Sequence, residues 1–345
     1  MSARIMKLVS LVIGSSFLLT ACDPPMPPEV AAALAEQSYT CINGDTKLSA
    51  PDSILAVTGD WQTGVAMNCE AEGMTITPVD TTGTDVELQI GDPADASCKA
   101  YVTVPYALDA PVLAFQLTDI SGITLSASAI GKIFAGEITT WDDPELVALN
   151  PNTVLPSTPV TFGNELTKDF EAPFSAWLER LGGAKVSLPI GTATADTIAD
   201  GGIVLTSYSK AMTLALPLVG IATGKNLETD VVIPEAGSIN SAGTMFKAMA
   251  AAGVLELIFD AKAKPIAPEG INIAPNPYQA LVAINLRLCG VDSLKTRAAA
   301  KYILRQDSQG SLGMSTVIAI PENLRALALG LVSEGLPAPS PLPSN

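Results

Sequence analysis

The segment formed by residues 125–162 carries the most specific pattern in the chain and constrains the fold more than any other segment. Its sequence, LSASAIGKIFAGEITTWDDPELVALNPNTVLPSTPVTF, predicts a short helix, a tryptophan, a second helix and a strand. Ser126 or Ser128 is placed to cap the first helix, and the acids and proline of residues 142–144 are typical of the start of the second. We expect Trp141 to pack inside the fold as scaffold rather than to contact a ligand.

The patterns before residue 100 predict the strand, turn, helix and strand order of an α/β lobe. The expected elements there are strands over residues 38–42, 74–79 and 86–90 and a helix over 52–70. Further helices are expected over residues 170–181 and 241–251. The predicted fold class is therefore α/β.

Two apolar stretches that contain prolines, residues 101–117 and 271–288, are long enough to cross between two lobes. A chain of 345 residues with 48% hydrophobic side chains can bury one large or two moderate cores. The predicted division is lobe one over residues 38–117 and 271–332, lobe two over residues 118–270 and a Pro/Ser tail over residues 333–345.

Residues 1–21 are typical of a secretory signal, because two basic residues precede an apolar run that is too short to span a bilayer. The residues that end at Cys22, Leu-Thr-Ala-Cys, resemble a bacterial lipobox, which implies cleavage and a lipid on Cys22. An ordinary signal peptide with a chance cysteine is the alternative. Residues 22–37 predict a Pro-rich tether, and the expected location is the periplasmic or extracellular face of a membrane.

Four cysteines remain after Cys22, and an even number in an exported chain predicts two disulfides. They are Cys41, Cys69, Cys98 and Cys289. Of the three possible pairings we favour Cys69 with Cys98 and Cys41 with Cys289, and the other two stay open. A metal site is the weaker alternative, since no two of these cysteines are near-neighbours in sequence and the chain has no histidine.

The charge and the missing histidine exclude several classes of function. Loss of residues 1–21 removes two positive charges and no acids, which takes the net charge from −16 to −18. Nucleic acid is therefore not an expected partner. Without histidine, Ser-His-Asp and Cys-His catalysis are excluded, and no carboxylate pair lies in a motif that chemistry would require. We expect neither an enzyme nor a bound cofactor.

Several runs resemble the periplasmic phosphate-binding proteins that serve ABC transporters. They are GEITTWDDP at 136–144, LPSTPV at 155–160 and GGIVLTSY at 201–208 in the second lobe, and NPY at 276–278 and QG at 309–310 in the first. The resemblance implies a two-lobed fold of the type II periplasmic-binding-protein class, with a ligand in the interlobe cleft. It also implies that a monomer captures an oxyanion, phosphate before others, and delivers it to an ABC permease.

An anion receptor of this kind needs backbone N–H groups at helix starts and uncharged hydroxyl donors, with a carboxylate acceptor when the anion carries a proton. Turn residues before the first helix, after the second and third strands and after residue 163 fit these roles by position. The candidate ligand-binding residues are Asp45, Thr46, Thr82, Gly83, Thr84, Asp92 and Thr167.

The second lobe departs from the family at the expected anion site. In the family, the strand equivalent to residues 160–162 leads into an Arg and a Ser-Gly-Thr-Thr turn that wraps the phosphate. Here residues 163–170 read GNELTKDF, so neither feature is present. Glu165 near the Arg position is expected to repel a phosphate unless Thr167 or Lys168 takes over. The alternative function is therefore a binding-protein fold kept as an interaction or cell-envelope module, with a different ligand or none.

Overall fold

The computed structural model describes residues 39–80, 83–91, 98–182, 191–267 and 272–337. The predicted signal peptide, Cys22, the tether, most of the tail, Thr82 and Asp92 lie outside the described residues. Within those ranges, no helix combines the length and the apolar character that a membrane crossing needs.

The chain alternates strands and helices, as expected for an α/β protein. The helices are α1 (Asp52–Asn68), α2 (Ala127–Phe134), α3 (Pro144–Leu149), α4 (Lys168–Arg180), α5 (Tyr208–Thr213), α6 (Ala236–Gly243), α7 (Leu294–Ile303), α8 (Gln306–Gly310) and α9 (Glu322–Val332). The strands are β1 (Gly44–Ser49), β2 (Met74–Pro78), β3 (Val86–Ile90), β4 (Ala100–Asp109), β5 (Pro111–Gln116), β6 (Thr124–Ser126), β7 (Thr161–Asn164), β8 (Gly202–Ser207), β9 (Gly220–Ala222), β10 (Val231–Val232), β11 (Phe246–Ala251), β12 (Val254–Phe259), β13 (Val282–Cys289) and β14 (Ile318–Ala319).

In the part of the chain that the structure describes, the strands form an 8-stranded sheet and two 3-stranded sheets. The large sheet has the order β11-β12-β4-β13-β3-β1-β2, with β14 beside β4. In it, β1 is parallel to β2 and β3, and β13 is antiparallel to β3 and β4. One small sheet has the order β5-β8-β7, with β7 parallel to β8, and the other has the order β10-β9-β6.

Two hydrophobic clusters fill the interior. One contains Trp61 and Tyr106 and is built from α1, the first strands, β13 and the C-terminal helices. The other contains Trp141, Trp177 and Tyr278 and is built around the β5-β8-β7 sheet. The residue boundaries of the two lobes stay a prediction.

The segment over residues 125–162 folds as predicted. The Ser126 hydroxyl accepts a hydrogen bond from the Ala129 N–H at 3.1 Å and caps α2. Asp143 caps α3, with Pro144 at its first position. Trp141 is fully buried, and its indole Nε1 donates to the carbonyl of Gly201 at 3.0 Å.

Two predicted elements are wrong. The first strand is β1, Gly44–Ser49, and not residues 38–42. The helix expected over residues 241–251 ends at Gly243, and the chain then enters the β11–β12 hairpin. Ala252 and Gly253 form its two-residue turn with φ of 46° and 84°, the pair of positive angles typical of a tight hairpin.

Two disulfides are confirmed, but the favoured pairing is wrong. The bonds join Cys41 to Cys69 and Cys98 to Cys289. Cys41 precedes β1 and Cys69 follows α1, and the pairing of β1 with β2 brings these ends together. Cys289 lies opposite Ala100 in the β13–β4 ladder, which places it beside Cys98.

Candidate functional site

A cavity of about 380 Å³ lies where the start of α1 faces the start of α5. The residues that line it are Pro51, Asp52, Ser53, Ile90, Asp196, Ser207, Ser209, Lys210, Thr213 and Leu214. Helix α1 follows the carboxyl end of β1, and α5 follows the carboxyl end of β8. Ligands of open α/β sheets bind at these ends of the strands, so the α1–α5 cleft is the candidate site.

On the α1 side of the cleft, hydrogen-bond capacity is unused. Ser49 ends β1 and Ser53 lies in the first turn of α1, and both hydroxyls are buried without a partner among the described residues. Pro51 at the N-cap position gives no side-chain cap. Because the first N–H groups of a helix have no intrahelical acceptor, this end offers backbone and hydroxyl donors to an anion. Asp52 adds a negative charge beside them.

On the α5 side, a buried carboxylate holds the turn. Ser209 donates its hydroxyl to Oδ2 of Asp109 at 2.5 Å, and the N–H groups of Ser209 and Ala110 donate to Oδ1 at 3.1 and 2.8 Å. Ser207 caps α5 by accepting from the N–H of Lys210, and its hydroxyl lies 3.2 Å from that of Ser209. Asp109 is the last residue of β4, so its hydrogen bonds to Ser209 connect the cleft to the crossing between β4 and β5.

Lys210 is the cation of the cleft, and two carboxylates already pair with it. Its Nζ lies 2.6 Å from Oδ2 of Asp196 and 3.2 Å from Oε2 of Glu165. Glu165 also accepts from the Thr206 hydroxyl and from the N–H of Ala195. Glu165, which the sequence led us to expect as a repulsive group, therefore forms an ion pair with Lys210, a cation that it shares with Asp196.

Burial and ion pairing shift several pKa values in the cleft. Burial raises the pKa of Asp109, and the hydrogen bond from Ser209 opposes this shift. Burial lowers the pKa of Lys210, but the bonds to Asp196 and Glu165 outweigh it, so the net shift is upward. The Lys210 ammonium in turn lowers the pKa of Asp196.

The buried carboxyl predicts a specific pH dependence. Because the folded pKa of Asp109 lies above its ordinary value of 3.8, its contribution to stability is present below that pH and is lost as pH rises through the folded pKa. We expect Asp109→Asn to gain stability relative to the wild type as pH rises from about 3.8. Urea unfolding of both proteins across pH 3.5–7 measures this difference.

Asp196→Asn is the control of opposite sign, since the pKa of Asp196 is lowered and its contribution is lost as pH falls. A difference between wild type and Asp109→Asn that stays flat with pH would contradict the assignment.

Two of the predicted ligand residues lie away from the cleft. Asp45 and Thr46 lie inside β1 and not in the turn that leads into α1. Asp45 accepts from the hydroxyls of Thr75 and Thr77 on the neighbouring strand, and Thr46 is fully buried. The amino end of a parallel strand points away from the usual ligand position, so the reason for choosing these residues does not hold.

Of the other predicted residues, the structure describes Gly83, Thr84 and Thr167. Gly83 and Thr84 lie in the connection between β2 and β3, and Gly83 has φ of 73°, the left-handed conformation that favours glycine. Thr167 is exposed at the start of α4 and gives no side-chain cap. Thr82 and Asp92 lie outside the described residues. The ligand role of these residues stays a prediction.

The sequence alone did not identify five residues at or beside the cleft, which are Ser49, Ser53, Asp109, Ser209 and Lys210. One signal is present in the sequence: Ser209 and Lys210 directly follow the run GGIVLTSY, which carries part of the family resemblance. The other signal depended on the correct end of β1, because Ser49 and Ser53 flank the true strand-to-helix turn.

Solved structures share this architecture. A DING protein aligns with a TM-score of 0.54 at 14% identity, over 83% of this chain and 94% of that chain. A high-affinity periplasmic phosphate-binding protein, PfluDING, solved with bound phosphate, aligns with a TM-score of 0.52 at 14% identity, over 87% of this chain and 100% of that chain. The chain has the fold of the periplasmic phosphate-binding proteins. A human phosphate-binding apolipoprotein is similar, with a TM-score of 0.53 at 12% identity over 83% of this chain and 94% of that chain.

Sequence similarity to the phosphate-binding proteins is weaker and partial. Phosphate-binding protein PstS 3 of Mycobacterium leprae is 25% identical over 251 residues, which are 65% of this chain and 64% of that protein. PstS2 of Mycobacterium bovis is 39% identical over 49 residues, 14% of this chain and 13% of that protein. The chain thus matches less than two thirds of the length of these relatives. No protein-family model matches the sequence. The predicted two-lobed α/β fold and the resemblance to phosphate-binding proteins are confirmed.

Proposed function

We propose that this protein is an exported solute-binding protein that captures an oxyanion, with phosphate as the first candidate, and delivers it to an ABC permease. The observation that carries the proposal is the buried hydroxyl of Ser53, which has no partner among the described residues and lies in the first turn of a 17-residue helix that lines the cleft. Ser49, at the end of β1, has a second buried hydroxyl without a partner in the same part of the structure. In this proposal a lipid on Cys22 holds the protein at the membrane, and the protein performs no catalysis. Structures that share the fold carry the names of phosphate-binding proteins.

The donors of the α1–α5 cleft suit a small oxyanion. Hydroxyls and helix-start N–H groups bind an anion without the cost of burying a full positive charge. A buried hydroxyl without a partner is itself unfavourable, by about 1–3 kcal/mol, and a ligand oxygen that accepts its proton removes that cost. Ser53 lies on one wall of the cleft. Ser207, which caps α5, and Lys210 of α5 lie on the opposite wall and can also donate hydrogen bonds to the anion.

The charges of the cleft limit the affinity. Lys210 is already paired with Asp196 and Glu165, and Asp52 also lines the cavity. The Arg and the Ser-Gly-Thr-Thr turn of the family are absent. Loss of one bidentate Arg contact costs on the order of 1.5–3 kcal/mol, so the affinity for phosphate should be at least about tenfold weaker than that of an intact site.

The same acids support the alternative function. A cleft with one paired cation and several carboxylates suits a binding-protein fold that serves as an interaction or cell-envelope module, with a different ligand or none. Absence of binding to any oxyanion at millimolar concentration would favour this alternative.

Isothermal titration of the mature protein with phosphate and with sulfate tests the proposal. We expect saturable phosphate binding that Ser53→Ala weakens by about two- to tenfold, because one hydrogen bond contributes about 0.5–1.5 kcal/mol. Lys210→Gln should weaken it further, since the remaining Glu165 and Asp196 charges then repel the anion. The matched control is Ser293→Ala, which removes a serine from the start of α7 and should leave binding unchanged.

Thr82→Ala and Thr84→Ala test the residues that the sequence put forward. If these two variants weaken binding and Ser53→Ala does not, the ligand lies at the β2–β3 connection and the α1–α5 cleft is the wrong site. Glu165→Arg should strengthen binding if that side chain faces the anion.

A further inference from the structure

A second cavity, of about 450 Å³, lies at the C-terminal end of α4. Its walls come from α4, from the β9–β10 hairpin and from the segment before β13, and they include Trp177, Arg180, Val232, Lys262, Asn276 and Gln279. We call it the Arg180 cavity. It shares no lining residue with the α1–α5 cleft. Its volume is in the range of cavities that hold small organic ligands.

Arg180 differs from the other arginines that the structure describes, because it has no carboxylate partner. Its Nη2 donates to Oε1 of Gln279 at a long 3.4 Å, and its Cζ lies 6.0 Å from the centre of the Phe259 ring. Partial burial lowers the pKa of Arg180, and no neighbouring acid offsets that shift. The remaining arginines with ion pairs are Arg287 with Glu87, Arg297 with Asp292, Arg305 with Asp307 and Arg325 with Glu322.

The charge of the cavity opposes that of the chain. The lining contains two cations, Arg180 and Lys262, and one acid, Asp230, although the chain has a net charge of −16. Asp230 already accepts hydrogen bonds from the Asn226 N–H and the Thr229 hydroxyl, at 3.0 and 2.9 Å. A local excess of positive charge in an acidic protein attracts anions to this position.

The wall also has an apolar part, formed by Trp177, Leu181, Val232, Ala261 and Pro277. Trp177 and Val232 are buried at 2% and 4% exposure, and the Trp177 ring packs edge-on against Tyr278 with centroids 4.7 Å apart. Cationic donors beside a fixed aromatic and aliphatic surface are suited to a ligand with one charged end and one apolar end. The guanidinium fork matches the two oxygens of a carboxylate.

We propose that the Arg180 cavity is a second binding site, for a small carboxylate with an apolar body. Arg180 binds the carboxylate through its fork, and Lys262 adds a second positive charge. The apolar body lies against the wall that Trp177 and Val232 form. The site does not depend on oxyanion capture in the α1–α5 cleft.

Benzoate and its neutral analogue benzamide are the probes, titrated into the mature protein by calorimetry. We expect saturable binding of benzoate and none of benzamide over the same range. Arg180→Gln should weaken benzoate binding at least tenfold, and Arg180→Lys should weaken it less, because an ammonium keeps the charge but not the fork. Lys262→Gln should weaken it a few-fold, and the matched control Lys264→Gln, an exposed lysine outside the cavity, should leave it unchanged.

Circular dichroism checks that the variants fold. If Arg180→Gln does not fold, the comparison of Arg180→Lys with the wild type tests the proposal. A wild-type protein that binds no benzoate, equal binding of benzamide, or benzoate binding unaffected by both Arg180 variants would overturn the proposal. Phosphate titration of Arg180→Gln should match that of the wild type, which keeps this result separate from the outcome for the α1–α5 cleft.

Discussion

Replacement of Trp141 by alanine is expected to lower the free energy of unfolding by about 3–5 kcal/mol. The side chain has 0% exposure and is among the largest fully buried groups of the protein. Its removal leaves a cavity in the cluster around the β5-β8-β7 sheet and takes the indole donor from the carbonyl of Gly201, at 3.0 Å.

Urea unfolding followed by circular dichroism measures the loss. Trp141→Phe should cost less, because the phenyl ring fills most of the space but cannot donate to Gly201. Val154→Ala, on a 93% exposed side chain of the same segment, is the surface control and should stay within about 0.5 kcal/mol of the wild type. If Trp141 is scaffold, the folded fraction of Trp141→Phe should bind ligand as the wild type does. A cost below about 1 kcal/mol for Trp141→Ala would contradict the packing argument.

The elements that the sequence predicted correctly are those whose signals are local. Ser126 and Asp143 cap their helices through contacts two or three residues away, and α1 and α4 have the apolar spacing of helices that pack on one face. Such interactions depend on neighbouring residues in the chain, so a single sequence contains them.

The start of the fold was predicted incorrectly because tertiary pairing overrode local preference. Residues 38–42 have the composition of a strand, whereas β1, GDTKLS, begins with residues that strands usually exclude. Parallel pairing with β2 and β3 nevertheless makes it an inner strand of the large sheet. A strand placed six residues too early moved the expected ligand residues to Asp45 and Thr46, and left Ser49 and Ser53 unnoticed.

The polar contacts of the cleft join residues that are far apart in the chain. Ser209 reaches Asp109 across 100 residues, and Lys210 reaches Glu165 across 45. No local pattern marks such pairs, since each partner is an ordinary turn or strand-end residue on its own. The sequence showed that a family motif was missing near Glu165, but the cation that pairs with this acid, Lys210, could only be identified from the structure.

The disulfide pairing leads to the second large effect. Removal of the Cys98–Cys289 bond by double alanine substitution should lower the free energy of unfolding by about 5.3 kcal/mol, because this bond closes a loop of 191 residues. Removal of the Cys41–Cys69 bond, which closes a loop of 28 residues, should cost about 3.6 kcal/mol in the same chain-entropy relation. The expected difference of roughly 1.7 kcal/mol reflects the unfolded chain alone.

Local contacts around Cys98 increase the loss of unfolding free energy that we expect when the Cys98–Cys289 bond is removed. The guanidinium of Arg287 donates to the Cys98 carbonyl at 3.0 Å and pairs with Glu87 at 3.0 Å, and both charged side chains are buried. If the segment at Cys98 moves away, this pair loses one of its polar neighbours, and a buried charge that is left poorly bonded is costly. Urea unfolding of the two double variants, with peptide mapping of the unreduced wild type to verify the bonds, tests the order. A larger loss from the Cys41–Cys69 variant would show that native-state contacts, rather than loop length, decide how much each disulfide stabilises the protein.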